Sequence, residues 1–193
     1  MRSTNYSAYL ALDELLSLQR RKSDPAEHDE MLFIIIHQVY ELWFKQELHE
    51  IDYLGEQFTA GNGARSLGTL NRILTILKTL VAQIDVLETM TPLEFLSFRD
   101  RLDTASGFES FQFREFEFAL GMKNPAVIKR FAEGSAGALN LQRRLEAPSL
   151  WQLFLRHLHA AGVAIPAAAL DRDPTLPTEE DEGVQEQLIK IYR

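Results

Sequence analysis

The sequence predicts an all-α protein, a bundle of packed helices. Three observations carry this. Glycine (10) and proline (7) are sparse among 193 residues, while Leu, Ala, Glu, Gln and Arg, which favour helix, are plentiful. Over residues 67–88, apolar side chains at Leu67, Leu70, Ile73, Leu74, Leu77, Leu80, Val81, Ile84 and Leu87 keep the helical period. Residues 28–52, HDEMLFIIIHQVYELWFKQELHEID, read as one long helix whose first half is apolar nearly all round. That pattern marks burial on several sides rather than along one stripe. The length suits one domain with a real core. Residues 1–193 are expected to form it, with 1–22 as an N-terminal segment and 23–193 as the helical body.

The elements follow in chain order. Residues 6–19 place Tyr9, Leu10, Leu12, Leu15, Leu16 and Leu18 at amphipathic spacing and predict a short helix. Tyr6 and Tyr9, three apart, share a face near its start. Residues 20–25 are a polar break, in which Asp24 before Pro25, or Asp29 beyond it, is placed to cap the central helix. The central helix is expected to end by Phe58, and 59–64 is a loop tip by composition. Thr91-Pro92-Leu93-Glu94 is a capping box with proline at the first helical position, opening a helix through about Leu102. Residues 103–107, DTASG, form a small-residue turn where backbone can approach a ligand closely. Phe108, Phe111, Phe113, Phe116 and Phe118 alternate locally like a strand. Helix is expected instead, because Gln112, Arg114, Glu115, Glu117, Ala119 and Leu120 are better helix formers and Gly121 suits the position after a helix end. Further helices are expected at 125–146, 148–161 and 181–192, with a loop at 167–177.

Composition excludes several function classes. Apolar content of 46% argues against disorder. A net charge of −8 and a pI near 5.2 leave no basic stripe for nucleic acid. The opening MRSTNYSAYLALDELL is polar and acidic, unlike a signal peptide, and no apolar run approaches the ~20 residues that span a bilayer. With no cysteine there is no disulfide, thiolate metal site or cysteine nucleophile, which fits a reducing cytoplasm. The motifs HExxH, CxxC, GxGxxG, GxxxxGK[ST] and GxSxG are all absent.

A few residues keep chemical character. His37 lies inside the apolar run, with Phe33 one turn before it and Glu41 and Phe44 one and two turns after. Burial disfavours an imidazolium, so a neutral ring is the default. It is either a core histidine bonded to a neighbour or a site imidazole. Arg99, four residues after Phe95, is either a surface ion-pair partner or an anion clamp. His157 and His159, two apart on a helix, point to different faces and make a poor metal pair. His37, Arg99, the Ser106-Gly107 turn and the tyrosines together suit a zwitterionic aromatic ligand beside an apolar cofactor.

Three stretches go further. HDEMLFIIIHQVYELWFKQ, ASGFESFQFREFEFALGMKN and YSAYLALDELLSLQ resemble the tryptophan 2,3-dioxygenase family, in order and at consistent spacing. The likeness continues more weakly through PSLWQLFLRHL and IPAAALDRDPTLP. It implies a helical bundle of the tryptophan/indoleamine dioxygenase type, cytoplasmic and homotetrameric, that binds haem b. The family activity is insertion of both atoms of O2 across the indole C2–C3 bond of L-tryptophan, giving N-formylkynurenine. By motif, His37 resembles the distal histidine that hydrogen-bonds the indole N–H, and Phe33 an indole-pocket wall. Arg99, in FRDRL, is similar to the arginine that clamps the substrate carboxylate, and Leu102 would pack on the substrate. Ser106 and Gly107 resemble the turn beside haem and substrate. Tyr6 and Tyr9 resemble a pair that a neighbouring subunit's 1–22 segment brings to the pocket. Phe95 stands where some members carry tyrosine, and Glu109 where glutamine is usual. The family's proximal haem histidine, in a motif like WRFRH, and its Gly/Thr-rich substrate loop have no counterpart in residues 1–193. No metal ligand is therefore assigned in this chain. The alternative expectation is a truncated, non-catalytic helical module for ligand binding or oligomerisation, lacking its haem ligand.

Overall fold

A computed structural model describes residues 5–103 and 109–192. Ten α-helices and no strand occur among the described residues, so the all-α expectation holds. No helix among them is long and apolar enough to cross a membrane.

The first helix expected, 6–19, is two short ones. Helix α1 (Tyr6–Leu10) is capped by Asn5, whose side chain accepts the Ala8 N–H. Ala11 then takes a left-handed φ of 50°, and α2 (Leu12–Leu15) follows. Neither buries a residue. With no fully buried residue to anchor it, this segment lacks the packing that sustains a longer helix, and short helices do not sustain themselves in water.

Helix α3 (Glu30–Thr59) is the expected long helix. The Asp29 carbonyl accepts the Phe33 N–H at 3.0 Å, which sets the helix start. Glu30 is fully buried there. Its carboxylate accepts the N–H groups of Lys22 (2.6 Å) and Ser23 (3.0 Å) and the Ser23 hydroxyl, binding the polar break to the helix start. Burial raises its carboxyl pKa, but these hydrogen bonds and the Arg21 charge outweigh that and leave it below the ordinary value.

Helix α4 (Gly63–Leu87) starts earlier than its apolar period suggests, because the Asn62 side chain accepts the Arg65 N–H at 3.3 Å. Helix α5 (Pro92–Arg99) has the expected capping box: Glu94 accepts the Thr91 N–H at 2.6 Å, and Thr91 accepts the Glu94 N–H at 3.4 Å. It stops short of Leu102, and Asp103 turns left-handed at φ 48°. Helix α6 (Phe111–Leu120), capped by Ser110 and closed by Gly121 at φ 103°, resolves the phenylalanine run as helix. Phe108 lies outside the described residues.

The single helix expected over 125–146 is split. Asn124 and Pro125 open a 3-10 turn, Pro125–Arg130, and Gly134 (φ 75°) precedes Ser135, which caps α7 (Ala136–Glu146). Side-chain caps at Asn124 and Ser135 compete with a continuous helix. Helix α8 (Leu150–Ala160) begins with a Ser149/Gln152 capping box, and Gly162 follows its end at φ 95°. The expected loop 167–177 contains a one-turn helix, α9 (Ala167–Leu170), started after Pro166. Helix α10 (Glu182–Tyr192) is as expected.

These elements form two compact units. One comprises residues 1–40 and 80–107, the other 41–79 and 108–193. In the first, Ile36, Leu80 and Phe98 are buried, and the Tyr40 hydroxyl donates to the Leu80 carbonyl at 2.7 Å. The apolar run of α3 is less enclosed than its composition suggests. Ile36 is buried, Met31 to Ile34 and His37 are half-buried, and Ile35 is 43% exposed.

The second unit holds three apolar clusters. The largest joins Leu48, Ile51, Leu54 and Phe58 of α3 with Ile73 of α4 and Phe116 and Ala119 of α6. Arg144 of α7 bonds Asp52 of α3 (2.5 Å) and Glu115 of α6 (3.0 Å), fastening three helices. Burial works against its charge, but the hydrogen bonds and charges of Asp52 and Glu115 outweigh this and favour the guanidinium. Lys123 is buried and donates to the carbonyls of Arg144 (3.0 Å), Leu145 (2.8 Å) and Ala147, closing the end of α7.

Candidate active site

The first unit brings four of the sequence-selected residues onto two elements. Phe33 and His37 are one turn apart on α3, and Phe95 and Arg99 one turn apart on α5. The His37 and Phe33 rings lie 4.1 Å apart between centroids. Phe33 in turn lies 5.6 Å from both Phe95 and Phe98, which meet each other edge-on at 5.5 Å. Such tilted and edge-on pairs are the favoured aromatic geometry. Phe98 is fully buried, whereas Phe33 and Phe95 are half-buried. The cluster is therefore an aromatic wall with a buried root and an accessible edge.

His37 Nδ1 lies 2.7 Å from the Phe33 carbonyl oxygen. A carbonyl only accepts, so Nδ1 carries the proton in this bond. In a neutral ring Nε2 is then left with a lone pair, able to accept a hydrogen bond from a ligand N–H. The backbone of α3 thus fixes both the tautomer and the tilt of the ring. On the adjacent residue, Gln38 bonds back to the N-terminal segment. Gln19 donates to its side-chain oxygen at 2.6 Å, and Gln38 donates to the Leu18 carbonyl at 3.3 Å.

Arg99 closes α5 and is half-buried. Its Nη1 donates to the Asp103 carbonyl at 3.1 Å. Among the described residues it meets no carboxylate, so the surface ion pair weighed for it does not form within them. Leu102 is half-buried in the turn that follows, its N–H on the Arg99 carbonyl at 3.1 Å. Tyr6 and Tyr9 are 75% and 77% exposed and touch no other ring or polar side chain among the described residues. Ser106 and Gly107 lie outside the described residues. Glu41 and Phe44 belong to the second unit, where Gln112 donates to the Glu41 carboxylate at 2.7 Å and Phe44 packs on Phe113 at 5.4 Å.

The residue that sequence reasoning passed over is Phe98. Its signal was present: it follows Phe95 by three, so the two share a helix face. For metals, no group of three or more His, Asp or Glu side chains able to hold an ion occurs among the described residues. His157 is a structural contact, with Nδ1 at 3.0 Å from the Phe58 carbonyl and its ring against Phe58.

An aromatic wall, one imidazole acceptor and one guanidinium with N–H groups beyond its bond to Asp103, on an all-helical scaffold, have the chemistry to take a small aromatic acid. Comparison with known proteins gives this class a family. The profile described as "Tryptophan 2,3-dioxygenase" matches residues 1–188. The tryptophan 2,3-dioxygenase of Herpetosiphon aurantiacus is 52% identical over 188 residues, covering 97% of this chain and 72% of that protein. That of Anaeromyxobacter sp. strain K is 49% identical over 193 residues, 97% of this chain and 70% of the relative. That of Xanthomonas campestris is 44% identical over 187 residues, 97% and 63% respectively. The chain belongs to the tryptophan 2,3-dioxygenase family.

Proposed function

We propose that this protein is a haem-dependent dioxygenase that takes L-tryptophan and O2 to N-formylkynurenine. Both oxygen atoms enter the product, at indole C2 and C3, and the bond between those carbons breaks. The observation that carries the reading is the His37 geometry. The Phe33 carbonyl holds the Nδ1 proton, and Nε2 is the acceptor that an indole N–H needs. Family membership favours this enzyme over the non-catalytic module.

The roles follow from the chemistry of each group. Phe33 and Phe95 offer the indole an apolar, aromatic surface, braced from below by Phe98. His37 accepts the indole N–H and sets the ring's orientation. Arg99 keeps N–H groups beyond the one on Asp103, and these bind the substrate carboxylate in the two-pronged manner of guanidinium groups. Leu102 closes against the substrate beside it. The half-buried aromatic edge fits one face of a flat apolar cofactor. By family likeness, Ser106 and Gly107 border haem, whose iron, when bound, supplies the binding and activation of O2. Two further features belong to the reading. The exposed Tyr6 and Tyr9 support a place in a neighbouring subunit's pocket within a homotetramer. The absence of cysteine supports work in the cytoplasm.

Steady-state kinetics of the haem-loaded protein test the roles. Arg99→Ala raises KM for L-tryptophan roughly ten- to a hundredfold, the cost of losing hydrogen bonds to a charged group. His37→Ala retains haem and slows turnover. An unchanged KM removes Arg99 from the carboxylate, and loss of haem from the His37 variant makes that residue an iron ligand instead.

A further inference from the structure

Glu47 lies on α3 within the second unit. It is fully buried, and neither carboxyl oxygen has a hydrogen-bond partner among the described residues. Helical spacing sets it one and two turns before Ile51 and Leu54, both in the unit's main apolar cluster. Several cations of this unit are bonded elsewhere, and the buried Arg114 Nε has no partner among the described residues. Arg72 of α4 pairs with Glu50 at 2.9 Å, and Arg114 of α6 with Glu117 at 2.7 Å. Arg144 of α7 holds Asp52 and Glu115, Lys123 holds three carbonyls, and His157 of α8 meets the Phe58 carbonyl. The neighbouring charge that Glu47 feels is Glu50, three residues on, itself buried and of the same sign. An ionised carboxylate in such a place costs far more than a neutral acid.

We propose that the folded chain holds Glu47 as a neutral acid, and that its ionisation is a pH-sensitive element weakening the α3 packing of the second unit as pH rises. Burial first, and then the Glu50 charge, push its carboxyl up to about 7. Because the folded value lies above the ordinary 4.5, the stability Glu47 contributes is full below the unfolded value and is lost as pH rises through about 7. This inference does not depend on the enzymatic reading.

Denaturant unfolding of the full chain from about pH 4 to 8, wild type against Glu47→Gln, isolates this group because all others are shared. The ratio of the two unfolding constants is expected to be flat below about pH 4.5. It then climbs by up to roughly tenfold per pH unit in favour of the variant, the limit for one proton, and levels near 7. A ratio that stays flat across that range overturns the proposal. If Glu47→Gln does not fold, Glu47→Leu supplies the same comparison. Carboxyl-carbon NMR of the wild type gives an independent readout: a Glu47 midpoint near 7 supports the proposal, and one in the ordinary glutamate range overturns it.

Discussion

Arg99 and His37 are both positioned by backbone carbonyls close by in sequence. Asp103 holds one N–H of the guanidinium and Phe33 holds the imidazole Nδ1 proton. Each side chain therefore presents its remaining polar groups without needing a distant partner to orient it. Glu30 shows the same economy at the start of α3, where one carboxylate gathers three donors. Its lowered pKa carries a sign: the contribution is present above the ordinary carboxylate value and is lost as pH falls through the folded one. Glu30→Gln should thus be less stable than wild type near neutrality, with the deficit shrinking in acid. Unfolding midpoints at a series of pH values check this, and a deficit independent of pH contradicts it. Much of this scale was legible in the sequence. His37, Phe33, Phe95 and Arg99 could be chosen from helical spacing and residue type. Glu47 could not, because its burial is set by tertiary packing, which no local pattern reports.

Helices α3 to α6 and α8 were readable because local chemistry and tertiary packing agree in them. Thr91, Ser110 and Ser149 cap, Gly121 terminates, and the apolar period faces a core. The failures have physical causes. Over 6–19 the apolar period exists but buries no residue fully, and the chain turns at Ala11. Over 125–146 the helix is interrupted by the Asn124 and Ser135 caps and the positive φ of Gly134, which outrank continuity. Gly121 gives the sharpest test at this scale. Its φ is 103°, and an added Cβ would overlap the Thr178 hydroxyl, while the Thr178 N–H donates to the Gly121 carbonyl at 2.8 Å. Gly121→Ala combines left-handed strain with a steric clash and should cost about 2 kcal/mol or more. Thermal unfolding of the variant measures it, and a wild-type midpoint would mean the turn relaxes freely.

The family match runs through residues 1–188 and so takes in both compact units. All-helical architecture follows from composition and periodicity alone, but the reaction does not. Residues 6–19, 28–46 and 105–124 carry a likeness to known enzymes that no count of helices could supply. The candidate residues of the first unit give that likeness a chemical basis: an aromatic wall, an oriented acceptor and a guanidinium with donors to offer. Turnover of L-tryptophan by the haem-loaded protein under ¹⁸O2, with the product analysed by mass spectrometry, tests the proposed reaction. N-formylkynurenine bearing both labelled atoms is the expected product. Tryptophan recovered unchanged, or a product carrying a single labelled atom, would contradict it.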